Sequence, residues 1–247
     1  MKKLLNRLAY YISVPKCVYC GERLEYGERA LCANCMKLYR ENKTRNCSRC
    51  AKVLEECSCP NGFLEKHGVK QVFKVYRYVT NDGRCPSNDI IYALKNSNRR
   101  DVFSFLAEEV ATSIKRHLTD ITFDNTVIIN IPRRRSAVVH FGYDHAAKLA
   151  REVSKLIGAK YTPLLKSNAK KQQKELSQTE RLKNADFKYR KKANLKGKRV
   201  IIVDDIITTG SSMCVAATLL RGLGARKIYA ASVAIAYKED KVIYNRK

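Results

Sequence analysis

Residues 200–213, VIIVDDIITTGSSM, set two carboxylates, four hydroxyls and a glycine behind an apolar, β-branched run. The run predicts a buried strand over Val200 to Val203 that ends in Asp204 and Asp205, followed by a loop and a helix from Ser211. A helix N-terminus offers unpaired backbone amides and the positive end of its dipole, and Gly210 lets that backbone approach an anion closely. Thr208, Thr209, Ser211 and Ser212 add hydroxyl donors, so the loop suits a phosphate monoester. Asp204 and Asp205 can accept from vicinal sugar hydroxyls, directly or through a Mg²⁺ shell. The plainer alternative is a helix cap preceded by acids, but the whole run is far more specific than a cap. The chain has no GxxxxGK[ST] and no GxGxxG after a strand, which argues against a nucleoside triphosphatase or a Rossmann oxidoreductase.

A second chemistry lies in the cysteines. Cys17 and Cys20, Cys32 and Cys35, and Cys47 and Cys50 form three CxxC pairs, and Cys57 and Cys59 close the series. Two CxxC turns complete a closed tetrahedral zinc site, so eight thiols suit two structural zinc ions. Neighbouring ligands close the shortest loops. That favours Cys17, Cys20, Cys32 and Cys35 on one ion and Cys47, Cys50, Cys57 and Cys59 on the other, although the spacing also admits interleaved pairing. A redox pair would sit beside a βαβ pattern, whereas these cysteines lie in a loop-rich stretch. Bound zinc of this kind stabilises its fold by about 10–16 kcal/mol, which predicts that chelation unfolds residues 1 to about 66 selectively. Cys85 and Cys214 stand alone and read as small buried apolar residues.

The elements that must hold these groups follow from periodicity. Gln71 to Val79 alternates as a strand, Ile90 to Leu94 and Val102 to Ile114 repeat at helical spacing, and Thr126 to Ile131 is a strand stopped by Pro132. Gly142 to Leu156 and Ser211 to Leu223 read as helices, and Ile228 to Ile235 as a strand. Alternating β and α elements imply an α/β fold with a mainly parallel sheet flanked by helices. In such sheets ligands bind beyond the carboxyl ends of the strands, which brings the residues after Ile131 and after Val203 to one crevice. The composition changes after Pro60, giving a cysteine-rich zinc-binding module at 1–66 and an α/β domain at 67–247.

The chain of 247 residues carries 49 Lys and Arg against 23 Asp and Glu, a net charge of +26. Solubility needs a magnitude of only about 2–8 in a small domain, so the excess points to polyanionic partners. The stretch 166–199 has thirteen basic and three acidic residues, with Phe187 and Tyr189 interleaved as platforms on which bases of single-stranded DNA could stack. Lys170, Lys171 and Lys174 are candidate phosphate contacts there, and an ordinary solvated basic loop is the alternative. A zinc-finger transcription factor would need a basic recognition helix, which the cysteines lack. Leu4, Leu5, Leu8 and Ile12 share one face of a short amphipathic helix rather than forming a signal peptide. No stretch reaches the roughly 20 apolar residues of a membrane span. Ten cysteines without an export signal place the chain in the reducing cytoplasm.

The run at 200–213 resembles the signature of type I phosphoribosyltransferases, which bind phosphoribosyl pyrophosphate (PRPP). More narrowly, the chain is similar to the ComF family of competence-associated proteins, in which a cysteine module precedes that signature. IYALKNSNRRDV at 91–102, IPRRRSAVVHFGYDHAAKLA at 131–150 and QKELSQTERLKN at 173–184 extend the similarity over nearly the whole chain. The resemblance implies a type I phosphoribosyltransferase-like domain in which Asp204 and Asp205, the catalytic candidates, hold the ribose hydroxyls and Mg²⁺. Thr208, Thr209, Gly210, Ser211 and Ser212 would cradle the 5′-phosphate. Pro132 with Arg133, Arg134 and Arg135 would form the pyrophosphate loop. Gln173, Leu176, Ser177, Glu180, Arg181 and Asn184 would lie in a loop that excludes water from a reactive glycosyl cation. In catalysis, Mg²⁺, Arg133 and Arg134 would neutralise departing pyrophosphate while a nitrogenous base attacks the anomeric carbon. The alternative is a non-catalytic PRPP- or single-stranded-DNA-binding module in DNA uptake, with a competence helicase and other uptake proteins as partners. The chain departs from the family at Phe141, Asp144 and His145, where an arginine and an Asn-Gln pair are usual. Ser212 replaces a threonine and keeps its hydroxyl. His145, a lone histidine on a helix, reads as structural rather than as a base.

Overall fold

In the computed structural model, residues 14–41, 43–44, 46–47, 49–78, 84–168 and 187–236 are described. In chain order the helices and strands are α1 (Ala33–Glu41), α2 (Gly62–Lys66), β1 (Val69–Arg77), α3 (Pro86–Asn96), α4 (Arg100–His117) and β2 (Thr126–Asn130). There follow α5 (Arg135–Phe141), α6 (His145–Ile157), β3 (Lys160–Tyr161), β4 (Leu165–Ser167), β5 (Phe187–Tyr189), β6 (Arg199–Ile207), α7 (Ser211–Gly222) and β7 (Lys227–Ile235). Five strands pair in the order β1-β7-β6-β2-β3, every pair parallel. β4 and β5 form a separate antiparallel pair.

The β-branched runs explain the sheet. β6 pairs on both sides and β2 is buried along its full length, as continuous apolar runs in a covered parallel sheet should be. Alternate residues divide between two cores. Ile201 and Val203 join Phe73, Tyr229, α4 and α6 on one face, while Val200 and Ile202 join Leu64, Met213 and Leu220 on the other. The first cysteine-rich segment is part of the former core: Leu24, Leu31 and Tyr39 are buried there with Cys17 and Cys35. The Tyr39 ring meets Tyr76 and Phe105 edge-on, each at 5.4 Å.

Two elements differ from expectation. β6 does not stop at Val203 but runs through the acids, because Asp204 pairs with Ser232 and Ile206 with Ala234 on β7. The helix expected over Gly142 to Leu156 begins only at His145, and a separate α5 precedes it. Gly142, at φ 75°, closes α5 in the left-handed conformation, and the Asp144 carboxylate caps α6 by accepting from the Ala147 amide at 3.0 Å. Phe187, read as a stacking platform, is buried in the second core, and the Tyr189 hydroxyl donates to the Leu219 carbonyl at 2.8 Å. The amphipathic segment at 4–12, the covering loop at 173–184, and Lys170, Lys171 and Lys174 lie outside the described residues. No described helix is long and apolar enough to cross a membrane.

Candidate functional site

The carboxyl end of β6, the loop after it and the start of α7 enclose a pocket of about 330 Å³, lined by Lys95, Asp204 and residues 206–213. Gly210 is the N-cap of α7 at φ 82°, a conformation that glycine adopts without strain. The four loop hydroxyls divide. Thr209 and Ser211 are buried and bond each other at 2.9 Å, and the Ser211 amide donates to Thr209 Oγ1 at 3.3 Å. They brace the loop from inside, while Thr208 is exposed and Ser212 half-buried. The α7 N-terminus, with no side-chain cap bond, keeps amides available for an anion.

The two acids have different surroundings. Asp205 is buried: its Oδ1 accepts from the Ile206 amide at 2.7 Å, and its Oδ2 meets Lys95 Nζ at 2.9 Å and His145 Nε2 at 3.1 Å. Burial pushes the Asp205 carboxyl up, but the hydrogen bond from His145 and the Lys95 charge outweigh it and hold the group below the ordinary range. Asp204 faces the pocket, with Oδ1 accepting from the Asp205 amide at 2.9 Å. Burial, then the neighbouring Asp205 charge, push its carboxyl well above the ordinary range. Desolvation likewise opposes the charge on Lys95, and Asp205 overrides it, so the lysine is more firmly protonated than usual. Asp204, Asp205 and His145 offer ligand atoms within 4.8 Å of one another. Oxygen donors of this type suit Mg²⁺, which keeps several waters and takes one or two carboxylates.

Arg133 and Arg134 follow β2 at the same end of the sheet. The Arg133 amide donates to Asp144 Oδ2 at 3.1 Å, its guanidinium donates to the Lys95 carbonyl at 3.4 Å and stands 4.2 Å from the Phe141 ring centre. Arg134, half-buried, precedes α5 and accepts from the Val138 amide through its carbonyl. Among the described residues neither lines the pocket, and the cation that does is Lys95. Asp144 also accepts from Asn130 Nδ2 at 3.4 Å, and Asn130 Oδ1 accepts from the Tyr161 hydroxyl at 2.9 Å. Sequence reasoning missed Lys95, gave Asp144 no role and read His145 as structural. The signal for Lys95 was its place in the IYALKNSNRRDV stretch; nothing local marks its partnership with an acid 110 positions later.

The eight cysteines gather into two quartets, Cys17, Cys20, Cys32 and Cys35, and Cys47, Cys50, Cys57 and Cys59, each with sulfurs within 4.8 Å of one another. Cys20 and Cys32 Sγ lie 3.7 Å apart, close to the edge of about 3.8 Å for a tetrahedron with metal–sulfur bonds of 2.3 Å. Each quartet could therefore hold one zinc ion, and the pairing is the one that closes the shortest loops. Burial pushes Cys17 and Cys47 up, yet backbone amides of Cys20, Cys32 and Tyr19 around the first, and of Arg49 and Cys50 around the second, bring both thiols to about 7. Amides that favour thiolates are what a metal–thiolate centre needs.

Residues 106–245 match the family model described as the phosphoribosyl transferase domain, more than half of the chain. The chain belongs to that family. Across almost its whole length the phosphoribosyl transferase domain protein is also similar to the DNA utilization protein YhgH of Escherichia coli, 26% identical over 224 residues, 88% of this chain and 96% of the relative. Competence protein F of Haemophilus influenzae is 25% identical over 227 residues, 86% of this chain and 93% of that protein. A ribose-phosphate pyrophosphokinase of Thermococcus kodakarensis is 34% identical over 97 residues, 39% of this chain and 30% of that protein. The resemblance to the ComF family and to the type I phosphoribosyltransferase fold is thus borne out. Two of these relatives carry competence or DNA utilization in their names.

Proposed function

We propose that the pocket binds PRPP with Mg²⁺ and that the protein serves DNA uptake from the cytoplasmic side, where reducing conditions keep eight thiols free for zinc. One observation carries the ligand: Asp204 stands in the same pocket as Lys95 and a hydroxyl-rich loop at a helix N-terminus. The α7 amides with Thr208 and Ser212 take the 5′-phosphate. Asp204 takes the ribose hydroxyls or the Mg²⁺ shell, while Asp205, fixed by Lys95 and His145, holds the floor. Arg133 and Arg134, which follow β2 at the same end of the sheet without lining the pocket, are the candidates to neutralise the pyrophosphate. Bound Mg²⁺ supplies positive charge for the pyrophosphate oxygens. In transfer, the bond from the anomeric carbon to pyrophosphate breaks with its electron pair on the leaving oxygen, a bond to the nitrogen of a base forms, and the proton that nitrogen carried passes to solvent or to the departing pyrophosphate. Fixed cations and amides at such a site lower the barrier without reorganising. Pyrophosphate release measured with a panel of nitrogenous bases tests this: release with one base makes the protein a transferase, and none with any leaves a PRPP-binding module.

A specific observation favours single-stranded DNA as a second ligand. A pocket of about 220 Å³ at the opposite ends of β2 and β6 is lined by Lys160, Lys191, Lys192 and Lys198, with no acidic residue among the described residues of its wall. None of these lysines forms an ion pair among the described residues. Each phosphate contact to a single strand contributes about 0.7 to the slope of log K against log salt. Replacing Lys191 and Lys192 by Gln therefore flattens that slope by about 1.4 and leaves PRPP affinity unchanged. An unchanged slope removes this pocket from the DNA path.

A further inference from the structure

The second cysteine quartet and the phosphate loop are joined by a short strut. Cys59 is followed by Pro60 and by Asn61, whose Oδ1 caps α2 by accepting from the Leu64 amide at 2.8 Å. The Asn61 Nδ2 donates to the Thr209 carbonyl at 3.5 Å. One turn on, the fully buried Leu64 side chain fills the space beneath Gly210, so closely that a Cβ on Gly210 would lie 2.8 Å from Leu64 Cγ. At the far end of the strut the Arg221 guanidinium of α7 donates to the His67 carbonyl. The quartet end is anchored too: Lys74 Nζ, buried on β1, donates to the Cys59 carbonyl at 3.2 Å, and the Val72 amide to the Ser58 carbonyl at 2.9 Å.

Among the described residues, no hydrogen bond joins the first quartet to the loop at 208–212. Cys17 and Cys35 pack in the core on the α4 and α6 face of the sheet, whereas Leu64, Met213 and Cys214 share the core on the other face.

A five-residue helix cannot hold itself, because isolated helices shorter than about 12–15 residues are marginal in water. α2 therefore keeps its place through its capped start, its anchored preceding segment and its packing on α7. If the second quartet opens, Cys57 to Asn61 lose their fixed point, α2 loses its cap geometry, and Leu64 no longer supports the left-handed turn at Gly210. The loop amides and hydroxyls then lose the common direction that an anion requires.

We propose that Asn61 and Leu64 are positioning residues for the phosphate loop, and that an intact second cysteine quartet, unlike the first, is required for tight binding of a phosphate-bearing ligand in the pocket. The ligand arm rests on the PRPP reading of that pocket; the mechanical link does not.

The test compares Cys59→Ser with Cys20→Ser in the full-length, zinc-loaded protein, by titration of Mg-PRPP and by amide hydrogen exchange at residues 210–214. Cys59→Ser is expected to speed exchange there and to weaken Mg-PRPP by on the order of tenfold or more, since small misplacements of binding groups cost that much. Cys20→Ser is expected to change neither. Leu64→Ala and Leu64→Met repeat the comparison without touching a thiol. The alanine variant weakens binding and speeds exchange while still holding two zinc ions, and the methionine variant restores both. Exchange that Cys59→Ser and Cys20→Ser alter equally, or that Leu64→Ala leaves at the wild-type rate, overturns the proposal. If the wild type itself takes up no Mg-PRPP, the ligand reading fails, and the exchange comparison still decides whether the strut exists.

Discussion

Two neighbouring aspartates that look alike in the sequence are chemically unlike in the fold. Asp205 is ionised and clamped between Lys95 and His145; Asp204 forms no ion pair among the described residues, and its carboxyl is pushed well above its ordinary 3.8. A carboxyl whose folded value is raised stabilises the fold fully below its unfolded value, and that contribution is lost as pH rises through the folded value. Metal-free wild type should therefore lose stability relative to Asp204→Asn as pH rises above the ordinary carboxylate range, with a slope of up to about 1.4 kcal/mol per pH unit. Thermal midpoints of the two proteins across that range check it, and a constant gap would count against a strained Asp204. The depressed Asp205 has the opposite sign, its contribution being lost as pH falls, and it is common to both proteins. The paired acids and the hydroxyl loop were legible because they are contiguous. Lys95 and His145 were not, because helices from distant parts of the chain bring them to Asp205 only once β6 is at the centre of the sheet.

At the scale of elements, the α7 N-terminus depends on one residue without a side chain. Gly210→Ala would place a Cβ against Leu64 and force φ 82° on an alanine, and the left-handed backbone alone costs about 1–2 kcal/mol. Urea unfolding should show at least that loss. In a Leu64→Ala background the steric part should vanish and the backbone part remain; full recovery there would mean the turn carries no strain. Most strands and helices were readable from their periodicity, and their boundaries failed where tertiary pairing decided them. β6 continued through two charged residues because β7 lay alongside, and Gly142 split an apparently continuous helix. Phe187 looked like an exposed platform only because the sequence does not say that β4 and β5 fold over the second core.

Over the whole molecule, the cysteine-rich part and the sheet share packing. Tyr39 stacks edge-on with Tyr76 of β1 and Phe105 of α4, and Leu24 and Leu31 are buried in the same core. Chelation should for that reason not stop at residue 66, as composition alone suggests. It should speed amide exchange along α4, and unchanged protection of α4 after metal removal would restore the picture of an independent module.

The central claim, a Mg-PRPP site at the carboxyl end of β6, is tested most directly by calorimetric titration of Mg-PRPP into zinc-loaded wild type and into the Asp204→Asn, Asp205→Asn double variant. Saturable binding to the wild type that is lost in a folded variant is the expected result. No binding by the wild type, or equal binding by both, would contradict it.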